Sequence, residues 1–568
     1  MFFKRNLSIA VLINIYFMAM CLAFCHLRYG SIDDYFMAGI LSGMYGEEYN
    51  IHLFFVNAIY GCLLLPLYHV FPQISWYYIG EIASIFISLT IITYILINKM
   101  GRSWGCILGI LMIATYAKDL YVVLQFTQCS AILSVTGMVV LIEVFEQLRS
   151  NQSIKVVYVL LLIGVLCLWW GSFMRWEVFL MGVPFLATAL LLCVRRFWKI
   201  RVHVILILLL VYAGALAFHS FDRSLYQTPE YKKFVNFQPF RVLLGDGAFY
   251  NEQAVYEDMQ EMGLQPEDFN MLRNWVFYDN EVFAPDSVQP IVQLINRYTI
   301  RPHLKSIPVL LLQNFSPMAK TPVFVLWLLF GFILLISNKQ KSIFYWIALA
   351  IIAAVLTYFI YINRVVYRVE FGLWLYATLL TIVFWKKLPN ISPKITFGSV
   401  AVLLAISSVV YFYNRDVFRS PNTAGIVSVE TMQQIKGYDC LSAYINSKSD
   451  SIIFVMPSVT YELFSEHRLP PYLTEPIGSW QQIISIGFWT PYYPDVEKAF
   501  RKRGMTNPIK DLVKDNVYYV SDSKYGVSLV DFLKNHHYDH VHVDTIEIFD
   551  DIMVLKYAID DKLTLENE

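Results

Sequence analysis

Tyr29-Gly30-Ser31-Ile32-Asp33-Asp34-Tyr35-Phe36-Met37-Ala38-Gly39-Ile40-Leu41-Ser42-Gly43-Met44 decides how the chain is read. Its apolar positions, Phe36, Met37, Ile40, Leu41 and Met44, recur at helical spacing, which predicts a short amphipathic helix lying along a membrane surface. Two carboxylates stand at its start. Aspartate is favoured there simply as a cap and by the helix dipole. Neighbouring helical residues point about 100° apart, so one aspartate can cap while the other faces a cavity. A carboxylate held beside apolar walls can then work as a base.

The membrane reading comes from what surrounds this stretch. Of the 568 residues, 57% are hydrophobic and 15% charged, and the mean hydropathy is +0.50, more apolar surface than one water-soluble core can hide. Apolar runs long enough to cross a bilayer fall near 7–26, 76–98, 103–124, 127–146, 156–173, 178–193, 202–219, 322–337, 343–361, 370–385 and 395–413, about eleven transmembrane helices in a polytopic α-helical membrane protein. The first run, behind Lys4-Arg5, is read as an uncleaved span. Basic residues concentrate on the cytoplasmic side of membrane proteins. Here they fall on alternate turns: Lys4-Arg5, Lys99 with Arg102, Arg149 with Lys155, Arg195-Arg196 with Lys199 and Arg201, Lys339 with Lys341, and Lys386-Lys387. That places the N-terminus in the cytoplasm and the C-terminal region outside. The alternation holds only if the apolar segment 52–71 does not cross, so it is read as an interfacial or re-entrant helix ending at Pro72.

Residues 1–413 thus form a membrane domain with a first outer loop at 28–75 and a large outer loop at 220–306, helical around 253–262 and 288–297. Residues 414–568 alternate strand-like stretches (451–456, 516–520, 540–545, 552–557) with helical ones (429–445, 529–535), which predicts a small extracytoplasmic α/β domain.

Formal net charge is +0, which removes a whole-molecule case for nucleic acid. Seven of the eight cysteines sit in apolar runs and Cys440 stands alone, with no disulfide framework or zinc spacing. No phosphate-cradling glycine loop or nucleophile elbow is present. Charges at span ends are costly and tend to be functional. Lys118-Asp119, Arg175, Glu177, Lys320, Arg364, Arg368 and Glu370 all fall near outer ends of spans and are expected to converge on one outward-facing cavity. Arg364 and Arg368, four apart, share a face if their segment is helical, and the arginine fork suits phosphate. His52 is a candidate contact for substrate or metal. It joins Asp33 and Asp34 in a metal site only if the loop folds back on itself, and a divalent cation is left open.

This layout resembles the GT-C superfamily of membrane glycosyltransferases, which includes the protein O-mannosyltransferases and the aminoarabinose transferases of lipid A. The points of resemblance are the acidic pair Asp33-Asp34 in the first outer loop, the interfacial segment 52–71, the many spans and a soluble outer domain. The sequence departs from the family at His52-Leu53-Phe54, where His-Pro-Pro is frequent. The resemblance implies a bacterial plasma-membrane enzyme that moves a sugar from a polyprenyl-phosphate donor to an envelope glycan or lipid-linked acceptor, with inversion. It makes Asp33 the base, has Asp34 orient the acceptor or a bound cation, and sets Arg175, Arg364 and Arg368 against the donor phosphate. Glu177, His52, Lys320 and Glu370 remain candidate substrate contacts. Two other readings stay open: a transporter or flippase of a lipid-linked or anionic substrate, and a non-catalytic envelope assembly protein.

Overall fold

The computed structural model describes residues 2–150, 154–245, 250–413, 429–479, 482–487, 489–522 and 529–559. The expected domain boundary at 414 falls outside them.

Among the described residues nine helices are long and apolar enough to cross a membrane, or ten when the bent pair Ile307–Ala319 and Pro322–Ser337 is taken as one span. About eleven were expected. The difference lies in two places. Trp176–Leu225 counts as one 50-residue stretch, yet it comprises the helices Trp176–Phe197 and Arg201–Leu225 around the short turn Trp198–Ile200. These fold back on each other, with the Trp176 ring stacked 4.6 Å from His219 near the far end of the hairpin. Pro322–Ser337 is only 16 residues long and meets its predecessor at 92°.

The helix Phe126–Arg149 is the centre of the bundle. Its window is 94% buried, against 6% for the peripheral Pro393–Tyr413, whose outward residues such as Phe397 and Val402 are left for lipid. Small residues let its neighbours close in: a Cβ on Gly171 would come 2.4 Å from Ser134 Oγ, and one on Gly137 2.6 Å from Leu168 Cγ. The helix after the first loop is Ala58–Val70, capped by Asn57. It is 13 residues long, roughly 20 Å at helical rise and short of a hydrocarbon core of about 30 Å. The expected helix from His52 is corrected at its start. Residues 52–57 are irregular, with Phe54 at φ 66°, and the carbonyl of Phe173 takes the Asn57 N–H.

At one end of the bundle the basic turns meet: Lys99 Nζ donates to the Val383 carbonyl at 2.6 Å, and Arg196 pairs with Glu146 at 2.7 Å. At the other end stand the acidic pair and the polar regions. Polar residues after Leu225 form the helices Pro229–Gly245, Glu252–Glu261, Pro266–Arg273 and Pro285–Arg297. Behind them the C-terminal region builds a five-stranded sheet in the order Ile483–Ile486, Ile453–Pro457, Val517–Asp522, Ile552–Ile559, Val541–Phe549. The first three strands are parallel and the last two pair antiparallel. The parallel strands are buried on both faces, as their unbroken apolar runs require.

Both polar regions lock together above the bundle. Lys510 pairs with Glu281 at 3.0 Å, His536 with Asp268 at 2.6 Å, and His537 with Asp279. Trp489 is the hub. Fully buried, it stacks on Phe54 at 5.6 Å, meets Phe55 at 5.3 Å and Phe36 of the acidic helix at 5.9 Å. Its carbonyl accepts from Gln238 at 3.0 Å.

Candidate active site

The acidic helix runs Ile32–Leu41 and starts on Ser31, whose hydroxyl oxygen accepts the Asp33 N–H. Just before it, Arg28–Tyr29 pairs in parallel with Val123–Leu124, and the Gly30 N–H donates to the Leu124 carbonyl at 2.6 Å. A Cβ at Gly30 would lie 3.2 Å from Gln125 Cβ and from Val123 Cγ1, so glycine admits this close approach. These contacts pin the start of the acidic helix to the start of the central helix Phe126–Arg149.

The two aspartates, about 100° apart around the helix, have different partners, and the cap is Ser31 rather than either of them. Asp34 turns inward and is fully buried. Its Oδ1 accepts the Tyr77 hydroxyl at 2.9 Å and the Phe126 N–H at 3.3 Å, while Oδ2 has no hydrogen-bond partner among the described residues. Burial, and after it the neighbouring Asp33 charge, pushes the Asp34 carboxyl well above the usual carboxylate range. Asp33 is 6% exposed. Its Oδ2 accepts the Ser31 hydroxyl at 2.8 Å and lies 4.0 Å from an Arg368 guanidinium nitrogen.

Three of the expected arginines reach this place. Arg175, at the turn between Ile154–Met174 and Trp176–Phe197, spreads its guanidinium over the rings of Phe55 and Phe126 at 5.1 and 5.6 Å. It pairs with Glu177 at 2.9 Å and lies within electrostatic range of Asp33, Arg368 and Arg364. Arg368 opens the helix Tyr367–Leu379. Arg364 lies before that helix, behind Asn363 at φ 54°, so the shared helical face expected for the two arginines is corrected. Arg368 stands beside Asp33 from a helix start, and Arg364, in the turn before it, lies within electrostatic range of Arg175.

The other candidates sit elsewhere. Glu177 is largely exposed and pairs with Arg175. Glu370, buried, accepts the Trp374 indole N–H at 3.4 Å on its own helix. Lys320 is exposed at the end of Ile307–Ala319, with no hydrogen bond or ion pair to the acids among the described residues. Asp119 takes the Tyr367 hydroxyl, beside Lys118 and next to Arg368 in sequence. His52 stands with Asn50 and Tyr231, its Nδ1 2.8 Å from Asn50 Oδ1 and its ring stacked at 4.3 Å on Tyr231. Burial lowers the pKa of this imidazole below the ordinary histidine value, leaving it neutral near pH 7. Among the described residues no cluster of three or more His, Cys, Asp or Glu could hold a metal ion. The loop does not bring His52 back onto the aspartates.

Sequence reasoning passed over Tyr77 and Glu81. Glu81 is fully buried within Trp76–Met100, both its oxygens lack hydrogen-bond partners among the described residues, and Asp34 is the charged group it feels. The signal was there, since an acid inside an apolar run is itself a functional flag. Tyr77 carries no such flag, being one of three adjacent aromatic residues, Trp76-Tyr77-Tyr78, at a span end.

A carboxylate shielded from bulk water with guanidinium groups on its open side can take a proton from a hydroxyl while the cations meet an anionic group beside it. No family model matches the chain, and no curated protein sequence matches it significantly. Among solved structures it is similar to ArnT from Cupriavidus metallidurans in the apo state, over 97% of each chain at 11% identity with a TM-score of 0.41. It is similar also to ArnT from the same organism bound to undecaprenyl phosphate, over 98% of each chain at 11% identity with a TM-score of 0.40. At that distance the functional reading rests on this chain's own residues.

Proposed function

We propose that this protein is a GT-C-type glycosyltransferase that moves a sugar from a polyprenyl-phosphate donor to an envelope glycan or lipid-linked acceptor at the outer face of a bacterial plasma membrane. One observation carries the reading: the nearly buried Asp33 carboxylate stands 4.0 Å from Arg368, with Arg175 within electrostatic range, beside aromatic walls supplied by Phe55 and Phe126. The orientation follows from the basic turns, which gather at the opposite end of the bundle. In this reading the membrane domain comprises residues 1–413 and the outer domain 414–568.

Asp33 takes the proton of the acceptor hydroxyl as that oxygen bonds to the anomeric carbon. The bond from that carbon to the phosphate oxygen breaks, and the electron pair leaves with the lipid phosphate. Arg368, Arg175 and Arg364 meet the negative charge that grows there. A single displacement inverts the anomeric centre, and Asp33 afterwards gives its proton to water. Asp34, held by Tyr77 and Phe126, orients the helix that carries the base and does not take part in proton transfer.

The test is a mass-spectrometric comparison of envelope glycans from cells with the protein, without it, and with Asp33→Asn at matched membrane levels. Loss of the same sugar unit in the last two is expected. Unchanged glycans in both would refute the enzyme, and transport of an intact lipid-linked substrate into sealed vesicles without a new glycosidic bond would replace it with a flippase.

A further inference from the structure

A cavity lies at the opposite end of the acidic helix from the aspartates. Its volume is about 690 Å³, within the range of roughly 300–1,000 Å³ usual for small-molecule sites. Asn50 belongs to its wall and donates its N–H to the Ile40 carbonyl of that helix at 3.3 Å. Ile40 is seven residues beyond Asp33, about 10 Å along the helix axis.

The wall is polar, planar and preorganised. The Asn50 side-chain amide donates to Asp495 at 2.7 Å and to the Tyr231 hydroxyl at 3.0 Å, while its oxygen accepts the His52 backbone N–H at 2.9 Å. His52 itself is fixed by its stack on Tyr231, and its carbonyl accepts the Tyr493 hydroxyl at 2.7 Å. Tyr45, Tyr49, Tyr231 and His52 thus share one lining with the carboxylates and with the Asn50 amide.

The charges tell against a phosphate ligand. Four carboxylates line the cavity against three cations, and the cations are engaged: Lys498 with Glu230 at 2.9 Å, Lys502 with Glu47 at 2.8 Å, and Arg503 on the Ala499 carbonyl. The same pairs take one oxygen each of Glu230 and Glu47, and Asn50 takes one of Asp495, but a carboxylate carries further lone pairs, so the wall still offers acceptors for hydroxyl or ammonium groups and ring surface for C–H faces. That is the chemistry that recognises a sugar ring.

We propose that this cavity is a saccharide subsite taking an uncharged or amine-bearing sugar unit. It depends on the transferase reading only for calling that sugar part of the acceptor, held by this wall while a more distant hydroxyl meets Asp33.

The test uses the full-length protein in nanodiscs, with binding read by saturation-transfer NMR and calorimetry in the absence of donor. The probes are tetramers of glucose, glucosamine, N-acetylglucosamine and galacturonic acid. At least one of the first three is expected to bind and the galacturonate not. Asp495→Asn and Glu230→Gln should each weaken binding at least tenfold. Glu230 is half-exposed, so its variant tests the wall without risk to folding. No binding by the first three probes, preference for the galacturonate, or unaltered binding in both wall variants overturns the proposal. Because no turnover is needed, binding without transfer activity would count against the transferase alone.

Discussion

Arg368 holds a guanidinium nitrogen 4.0 Å from Asp33 Oδ2, the same oxygen that accepts the Ser31 hydroxyl at 2.8 Å. The separation is too long for a closed ion pair of ideal geometry. It leaves the cation free to turn toward an arriving anion, and Asp33 keeps a lone pair for a proton. Removing the cation should therefore damage turnover more than folding. Arg368→Ala is expected to lower kcat by about a hundredfold, the size of effect seen when one donor to a developing oxyanion is lost. Arg368→Lys should recover only part of it, since a point charge lacks the fork. Steady-state kinetics beside a thermal melt of each variant checks both statements.

Asp34 gives a pH dependence of definite sign. Its folded-state carboxyl is raised by burial and by Asp33, so the folded protein keeps this proton at pH values where the unfolded chain has lost it. The stabilising contribution is whole below the ordinary aspartate value, about pH 4, and is lost as pH rises through the folded value. Asp34→Asn, neutral throughout, should flatten the fall of melting temperature above that point. An unchanged slope would contradict the assignment.

Trp489 ties the acidic helix, the first loop and the upper regions to one another. Trp489→Ala should cost about 3–5 kcal/mol, the usual loss for a large buried aromatic. Limited proteolysis should then cut first within the C-terminal region while the apolar helices stay intact. An unchanged melting temperature would deny Trp489 that role.

His536 meets the buried Asp268 at 2.6 Å, and the hydrogen bond to that carboxylate raises its pKa above the ordinary histidine value. The contact is strongest below about pH 6.5 and fades as pH climbs through the higher folded value. Docking of Pro266–Arg273 on Val530–His536 should loosen accordingly. Hydrogen exchange of these two helices at mildly acid and at alkaline pH measures it. His536→Gln should exchange at the alkaline rate at both.

Hydropathy was enough to find the helices, because a bilayer imposes one length and one polarity on everything that crosses it. Alternating patterns likewise marked four of the five strands. The missed one, Ile483–Ile486, is a buried four-residue Ile-Ile-Ser-Ile run at the edge of the sheet, too short to separate from a loop by pattern. Asp33 and Asp34 were legible as paired acids at a helix start, and Arg175 and Arg368 as charges at span ends. What brings them together was not, for it depends on Gly30 bonding to Leu124 and on Phe126 bonding to Asp34, contacts across more than ninety residues of chain. His52 misled because a helix pattern beginning at Ala58 extends backward through Phe54 and Phe55, whose rings pack on Trp489 without helical backbone.

The packing of Phe36 against Tyr461 and Trp489 sets a timetable for biogenesis. A ribosome that has finished the membrane helices has delivered both aspartates and all three arginines, while Tyr461 and Trp489, which pack on the acidic helix, are still unmade. The nascent chain therefore passes through insertion with part of that helix uncovered, and its packing is completed late in translation. On the proposed reading, chains stalled or clipped before that point are inserted but inactive.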